Sequence, residues 1–136
     1  MTPADVLVLP YADAHAADIA ALCRELRWPT YSDPEVVRRG STAPGVVTRV
    51  AVTDDGQFAG FAQGCGDGVM QSFLSQLAVL PAHRRQGVAR RLVEAVFVAS
   101  GTQRMDLLTD DAQAFYRSFP HKEKSGFRIY PGWHDG

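Results

Sequence analysis

Apolar residues recur along this chain at two periods, and the periods predict its elements. Ile19, Leu22, Cys23 and Leu26 fall at i, i+3, i+4 and i+7, which predicts a helix with one buried stripe, with Asp13 as its cap. Ala89, Leu92, Val93 and Val96 repeat the spacing and predict a helix from about Gln86 to Ser100. Ala112, Phe115, Tyr116 and Phe119 repeat it again, with Asp110 or Asp111 as the cap. Asp33-Pro34 predicts a short helix reaching about Arg39, followed by a loop over Gly40–Gly45. Strands are predicted at Val6–Leu9, Val46–Thr53, Phe58–Gln63, Phe73–Leu80, Arg104–Thr109 and Gly126–Tyr130. Asp54-Asp55-Gly56 reads as a hairpin turn, and so does the glycine-rich stretch Gly64–Gly68. Tyr130-Pro-Gly-Trp133 suggests a turn and a short final edge.

The predicted order is β-α-α-β-β-β-α-β-α-β. Three antiparallel strands followed by two crossover helices imply an α/β fold, a mixed and mostly antiparallel sheet flanked by about four helices. The 136 residues show no repeat or second hydrophobic unit, so a single domain over 1–136 is expected.

Charge narrows the partners. Fourteen basic and fifteen acidic residues give a formal net charge of −1, so no overall field draws nucleic acid or an anionic membrane. No apolar run is long enough to span a bilayer, and Met1-Thr-Pro-Ala-Asp5 lacks the features of a signal peptide. Cys23 and Cys65 have no metal-ligand or disulfide spacing and read as reduced thiols. A cytoplasmic protein without a metal is expected.

Against this neutral background stands Leu77-Ala-Val-Leu-Pro-Ala-His-Arg84-Arg85-Gln86-Gly87-Val88-Ala89-Arg90-Arg91, a strand, a basic turn and a helix. The first N–H groups of a helix lack intrahelical acceptors, and the macrodipole favours an anion there. Gly87 permits close approach of the main chain, and Arg84, Arg85 and Arg90 add charge suited to phosphate oxygens. The Walker string is absent, and Gly64, Gly66 and Gly68 have the wrong spacing for the dinucleotide fingerprint. A pyrophosphate cradle is the expectation, with a solvated basic face as its plainer alternative.

The pattern Arg84-x-x-Gly87-x-Ala89 after a strand, then Ala112-x-x-Phe115-Tyr116 and Gly126-Phe127, resembles the GNAT superfamily of acyl-CoA-dependent N-acetyltransferases. The likeness covers about residues 46–130 by motif and the N-terminal third by arrangement. It implies acetyl-CoA as co-substrate and a primary amine, on a small molecule or a peptide, as acceptor, with direct attack in a ternary complex. Pantetheine would lie along Leu77, Ala78 and Val79, and the turn Arg84, Arg85, Gln86, Gly87, Val88, Ala89 and Arg90 would hold the pyrophosphate. Tyr116 would be the general acid for the departing thiolate, since a tyrosine near pKa 10 and a thiol near about 8.5 are matched for proton transfer. Its position equally suits completion of the Ala112/Phe115/Phe119 stripe. Trp28 and Tyr31 would wall the acceptor groove, the alternative being that Trp28 plugs the core. Homodimers are common in the resembled family.

Two departures qualify the likeness. Many relatives carry a Glu on the strand before the cradle, whereas Gln71-Ser-Phe-Leu-Ser-Gln-Leu77 has no acid. Asp67, or a water held by Ser72, Ser75 or Gln76, could take the proton of the amine, and the gap motivates a rival reading as a non-catalytic acyl-CoA-binding module. The spacer from Tyr116 to Gly126 is nine residues, longer than usual, so a polar loop around His121–Lys124 is expected beside the acyl end of the site.

Overall fold

A computed structural model describes residues 6–132. Five strands form one sheet in sequence order: β1 (Val6–Pro10), β2 (Val46–Thr53), β3 (Phe58–Gly66), β4 (Gln71–Val79) and β5 (Arg104–Asp106). The first four are mutually antiparallel, and β5 runs parallel to β4. Two helices, α1 (Ala16–Glu25) and α2 (Pro34–Ser41), lie on one face. The opposite face carries α3 (Val88–Ser100) and the five-residue α4 (Gln113–Arg117). The α/β architecture therefore agrees with the sequence.

The helical stripes point where their spacing demands. Ile19, Leu22 and Cys23 of α1 pack with Val50 and Phe61 of the sheet. Val88, Leu92, Val93 and Val96 of α3 pack with Ala51 and Ala62 on the other face. Alternation along β2 and β3 thus feeds two cores from one sheet.

Boundaries depart from expectation where local bonds intervene. Asp13 sits within a short 3₁₀ turn, Asp13–His15, and makes no side-chain cap; the Ala12 N–H instead donates to His15 Nδ1 at 3.0 Å. Asp33 does cap α2, accepting from the Glu35 N–H at 2.9 Å. Neither Asp110 nor Asp111 caps α4; Thr109 Oγ1 accepts from the Ala112 N–H at 3.0 Å. The turn expected at Gly64–Gly68 begins later, because β3 continues through Gly66. The strand expected at Gly126–Tyr130 has no ladder partner, and those residues are exposed. Trp133 lies outside the described residues.

One polar cluster is buried between α2 and the sheet. Gln63, only 4% exposed in the middle of β3, accepts from the Tyr31 hydroxyl at 2.7 Å. Its Nε2 donates to Thr48 Oγ1 at 2.9 Å and to Ser41 Oγ at 3.3 Å. The Tyr31 ring lies directly on Gly40, where a Cβ would overlap the hydroxyl. The α1–α2 connection, α2 and β2 are thereby fixed to one amide on β3. Tyr31→Phe should leave Gln63 Oε1 without its donor and lower unfolding stability by about 1–3 kcal/mol, read from urea titration. An unchanged midpoint would show that the hydroxyl contributes nothing.

Candidate functional site

The basic turn is built by the backbone before its side chains matter. Pro81 stops β4, and a 3₁₀ turn, Pro81–His83, follows. Arg84 is extended, Arg85 is left-handed at φ 62°, and Gly87 is left-handed at φ 82°. A left-handed arginine is strained relative to glycine, and such residues concentrate at ligand sites. Gly87 offers no side-chain cap to α3, and the first helical bond runs from the Arg91 N–H to the Gly87 carbonyl at 3.2 Å. The N–H groups of Val88, Ala89 and Arg90 precede that bond and point out of the helix end with no intrahelical acceptor. No acidic residue stands in the first turn to occupy them. The result is an uncapped helix end of the kind that favours an anion.

The arginines divide their tasks. Arg84 turns its Nε back to the Val79 carbonyl at 3.0 Å, which ties the turn to the end of β4. The Arg91 guanidinium bonds the Val6 carbonyl, joining α3 to β1. Arg90 reaches away from the turn: its Nη2 donates to the Ser118 carbonyl at 3.1 Å and Oγ at 2.6 Å, and its guanidinium lies 4.0 Å over the Phe119 ring. Of the Arg90 groups, the main-chain N–H is the one at the helix end. Arg85 is exposed and makes no side-chain bond to a described residue. Gln86 is half-buried and donates weakly to the Ala82 carbonyl at 3.5 Å.

A slot leads from this turn along β4. Pairing with β5 covers only Gln71–Phe73, opposite Arg104–Asp106. From Leu74 to Val79 the outer edge of β4 has no strand beside it. The side chains of Leu77, Ala78 and Val79 belong to the two cores, so the main chain is what that edge presents. Ser75 has no opposite on β3, since Gln63 faces Gln76 and Gly64 faces Leu74. This bulge turns the Ser75 hydroxyl onto the Gln63 carbonyl at 3.2 Å.

Tyr116 is half-buried on α4, with ring centroids 4.9 Å from Phe115 and 6.4 Å from Phe119. Burial raises its pKa, and its hydroxyl makes no hydrogen bond to a described residue. The Arg90 contact with Ser118 and Phe119 ties this short helix to the first turn of α3. Nothing in the pattern of residues announces that link, because a guanidinium twenty-eight positions away in the chain carries no periodic signal.

The other expected residues fall less favourably. Tyr31 is buried with its hydroxyl engaged by Gln63, and Trp28 is half-buried against the same core. Ser72 is buried, 2.9 Å from Thr102 Oγ1. Asp67 caps the β3–β4 turn, accepting from the N–H groups of Val69 and Met70 at 2.8 Å and Gln71 at 3.2 Å. These bonds hold its carboxyl below the usual range. It also stands beyond the start of β4, about 25 Å of strand from the basic turn. Two shallow clefts of about 200 and 240 Å³ lie near Asp67 and not at the turn. Cys23 is buried and its thiol is pushed up to about 11, so it is no nucleophile.

Comparison with known proteins follows the same outline. The family profile described as acetyltransferase (GNAT) domain matches residues 47–119. The aminoglycoside-type enzyme AAC(6')-Iy, solved with the bisubstrate analogue CoA-S-monomethyl-acetylneamine, is 22% identical, with 92% of this chain and 96% of that one covered and a TM-score of 0.73. A GNAT-family protein from Xanthomonas campestris pv. campestris is 24% identical over 100% of both chains, TM-score 0.73. The aminoglycoside 6'-N-acetyltransferase AAC(6')-Ih from Acinetobacter baumannii is 21% identical over 92% of this chain and 96% of that one, TM-score 0.73. At such identities the likeness speaks of the fold. No curated protein sequence matches the chain.

The Asp67 cap carries a pH signature. A depressed folded pKa means that its stabilisation is fully present above the unfolded value of about 3.9 and is lost as pH falls through the lower folded value. Asp67→Ala should therefore melt below wild type at neutral pH, and the two melting curves should converge in acid. A gap that persists unchanged to about pH 2 would mean that the carboxylate charge is not what caps the turn.

Proposed function

Because the chain belongs to the GNAT acetyltransferase family, we propose that it moves an acetyl group from acetyl-CoA to the primary amine of a small molecule or peptide, by direct attack with both substrates bound. The observation that carries this reading is the uncapped first turn of α3 set at the end of a strand whose outer edge has lost its neighbour. The N–H groups of Gly87, Val88, Ala89 and Arg90 suit a pyrophosphate, and Arg85 supplies an exposed charge next to them. Arg84 and Gln86 shape the turn that holds those groups in place. The open edge from Leu74 to Val79 suits an amide-bearing chain that pairs as a strand would. When bound, acetyl-CoA supplies an acetyl group activated as a thioester.

Tyr116 is the catalytic residue in this proposal. Burial keeps its hydroxyl protonated at neutral pH, and Oη is the group assigned to give a proton to the departing thiolate. Its rings of support, Phe115 and Phe119, restrict its motion and keep water from its flank. Ser75 and Gln76 are the polar residues at the bulge on the open stretch of β4. The acceptor class draws on the structural neighbours, several of which are aminoglycoside acetyltransferases. Aminoglycosides are therefore the first amines to test. Free thiols at Cys23 and Cys65 accord with a cytoplasmic setting.

One observation favours the rival, an acyl-CoA-binding module without turnover. No carboxylate stands on β4, and Asp67 is committed to its turn.

Titration calorimetry with acetyl-CoA should show one site of micromolar affinity, weakened at least tenfold by Gly87→Val, which strains the left-handed position. Absence of binding to folded protein would sink both readings. With an acceptor in hand, Tyr116→Phe should lower kcat by about 10²–10⁴ while leaving acetyl-CoA affinity within about threefold. Unchanged kcat would remove Tyr116 from the chemistry, and binding without turnover of any amine would select the rival.

A further inference from the structure

Arg90 contributes to two places at once. Its main-chain N–H lies in the uncapped first turn of α3, three residues past the left-handed Gly87. Its guanidinium is committed elsewhere, to the C-terminal end of α4. That helix depends on such help. It has five residues, none of them fully buried, and isolated helices shorter than about 12–15 residues are marginal. Ser118 is its C-cap, and a cation is favoured beside the carbonyls that a helix leaves unpaired at this end. Arg90 Nη2 donates to the Ser118 carbonyl at 3.1 Å and to Ser118 Oγ at 2.6 Å. That hydroxyl donates in turn to the Phe115 carbonyl at 2.5 Å, and the guanidinium lies 4.0 Å over the Phe119 ring. From Phe119 the contact passes to Tyr116 twice. The Phe119 N–H donates to the Tyr116 carbonyl at 3.1 Å, and the two rings stack 6.4 Å apart at 29°.

We propose that Arg90 is a positioning residue: by clamping Ser118 and Phe119, its guanidinium fixes where Tyr116 Oη stands for proton transfer to the departing thiolate. This role rests on the reading of Tyr116 as the general acid. The Tyr116 hydroxyl makes no hydrogen bond to a described residue, so its direction is set from behind, by the helix backbone and the flanking rings. Proton transfer needs its two heavy atoms within about 2.6–3.2 Å, and a misplacement of about 1 Å costs on the order of 10²-fold in rate.

The same geometry takes the Arg90 side chain away from the pyrophosphate. Turning to a phosphate would forfeit both bonds to Ser118 and the contact with Phe119. The anion is left to the main-chain N–H groups and the exposed Arg85. One residue thus gives its backbone to the anion and its side chain to the acid, and the reach of that side chain sets the span between them.

Arg90→Met keeps the unbranched stem, removes the charge with its bonds, and is measured in the full chain beside Tyr116→Phe. With tyrosines labelled at Cζ, and Tyr116 identified by its loss in Tyr116→Phe, NMR follows that phenol through its titration. Burial raises the Tyr116 pKa in wild type; in Arg90→Met it should fall back toward about 10, with the circular dichroism spectrum unchanged. With an acceptor in hand, Arg90→Met should lower kcat about tenfold or more and keep acetyl-CoA affinity within about threefold. In the Tyr116→Phe background it should add less than about twofold, because the two residues act as one unit. Arg90→Lys, which keeps a charge over Phe119, should recover part of the loss. Ser118→Ala, at an exposed position, removes one link of the clamp and should move both readouts the same way by less. A Tyr116 titration that none of these variants moves overturns the proposal, whether or not any amine turns over. So does an additive loss in the double variant. So does an acetyl-CoA affinity that drops with kcat unchanged, which returns the guanidinium to the phosphates. A kcat indifferent to Tyr116→Phe removes the acid itself and the positioning role with it. Wild type that turns over no amine does the same, a failure of the function told apart by a Tyr116 titration that still follows Arg90.

Discussion

The short parallel ladder between β4 and β5 governs the arrangement of everything around it. Two parallel neighbours cannot be joined by a hairpin, and the chain must cross from one end of the sheet to the other. The crossover here is α3, so its N-terminus has to lie just past the C-terminal end of β4. Because only three residues of β4 pair with β5, the same ladder leaves the rest of that strand edge open. The uncapped helix end and the open strand edge thus share one origin. Placing α4 after β5 then brings its aromatic residues onto the α3 face, where Arg90 holds them.

The opposite face is organised by a buried amide. Gln63 binds Tyr31, Thr48 and Ser41 through its side chain, while its carbonyl accepts from Ser75 at the bulge of β4. Satisfied buried networks of this kind select one packing over its competitors, since any partner withdrawn leaves a desolvated polar group. The connection between α1 and α2 is therefore tied to the strand that offers the open edge. Arg24 adds a second tie, donating to the Ser32 carbonyl at 2.8 Å.

Much of this fold was legible in the sequence because it obeys local rules. The helical stripes, the helix start at Asp33-Pro34, the hairpin at Asp54–Gly56 and the stop at Pro81 each depend on residues a few positions apart. The Arg84-x-x-Gly87-x-Ala89 turn was legible for the same reason, and the structure adds the left-handed Arg85 that no composition announces. What escaped depends on distance along the chain. Asp67 looked like a spare carboxylate until its turn brought three N–H groups to it. Tyr31 looked like an open aromatic until Gln63, thirty-two positions on, took its hydroxyl. One signal was available: a glutamine inside the otherwise apolar run Phe58–Cys65 asks for buried partners. Gly126–Tyr130 has the alternation of a strand, but alternation does not supply a neighbour.

The left-handed Arg85 separates the energetics of folding from those of recognition. Holding a non-glycine residue there costs about 1–3 kcal/mol, and that cost falls on the protein as it folds, with no ligand present. A turn ordered in advance spares its ligand the entropy of ordering a loop on arrival. Under the proposed function, chain stability is thus exchanged for a recognition surface that exists before its anion does. Redesign of this turn for thermal endurance, by glycine at 85 or an acidic cap on α3, would draw on that same reserve and leave a sturdier protein with a poorer grip.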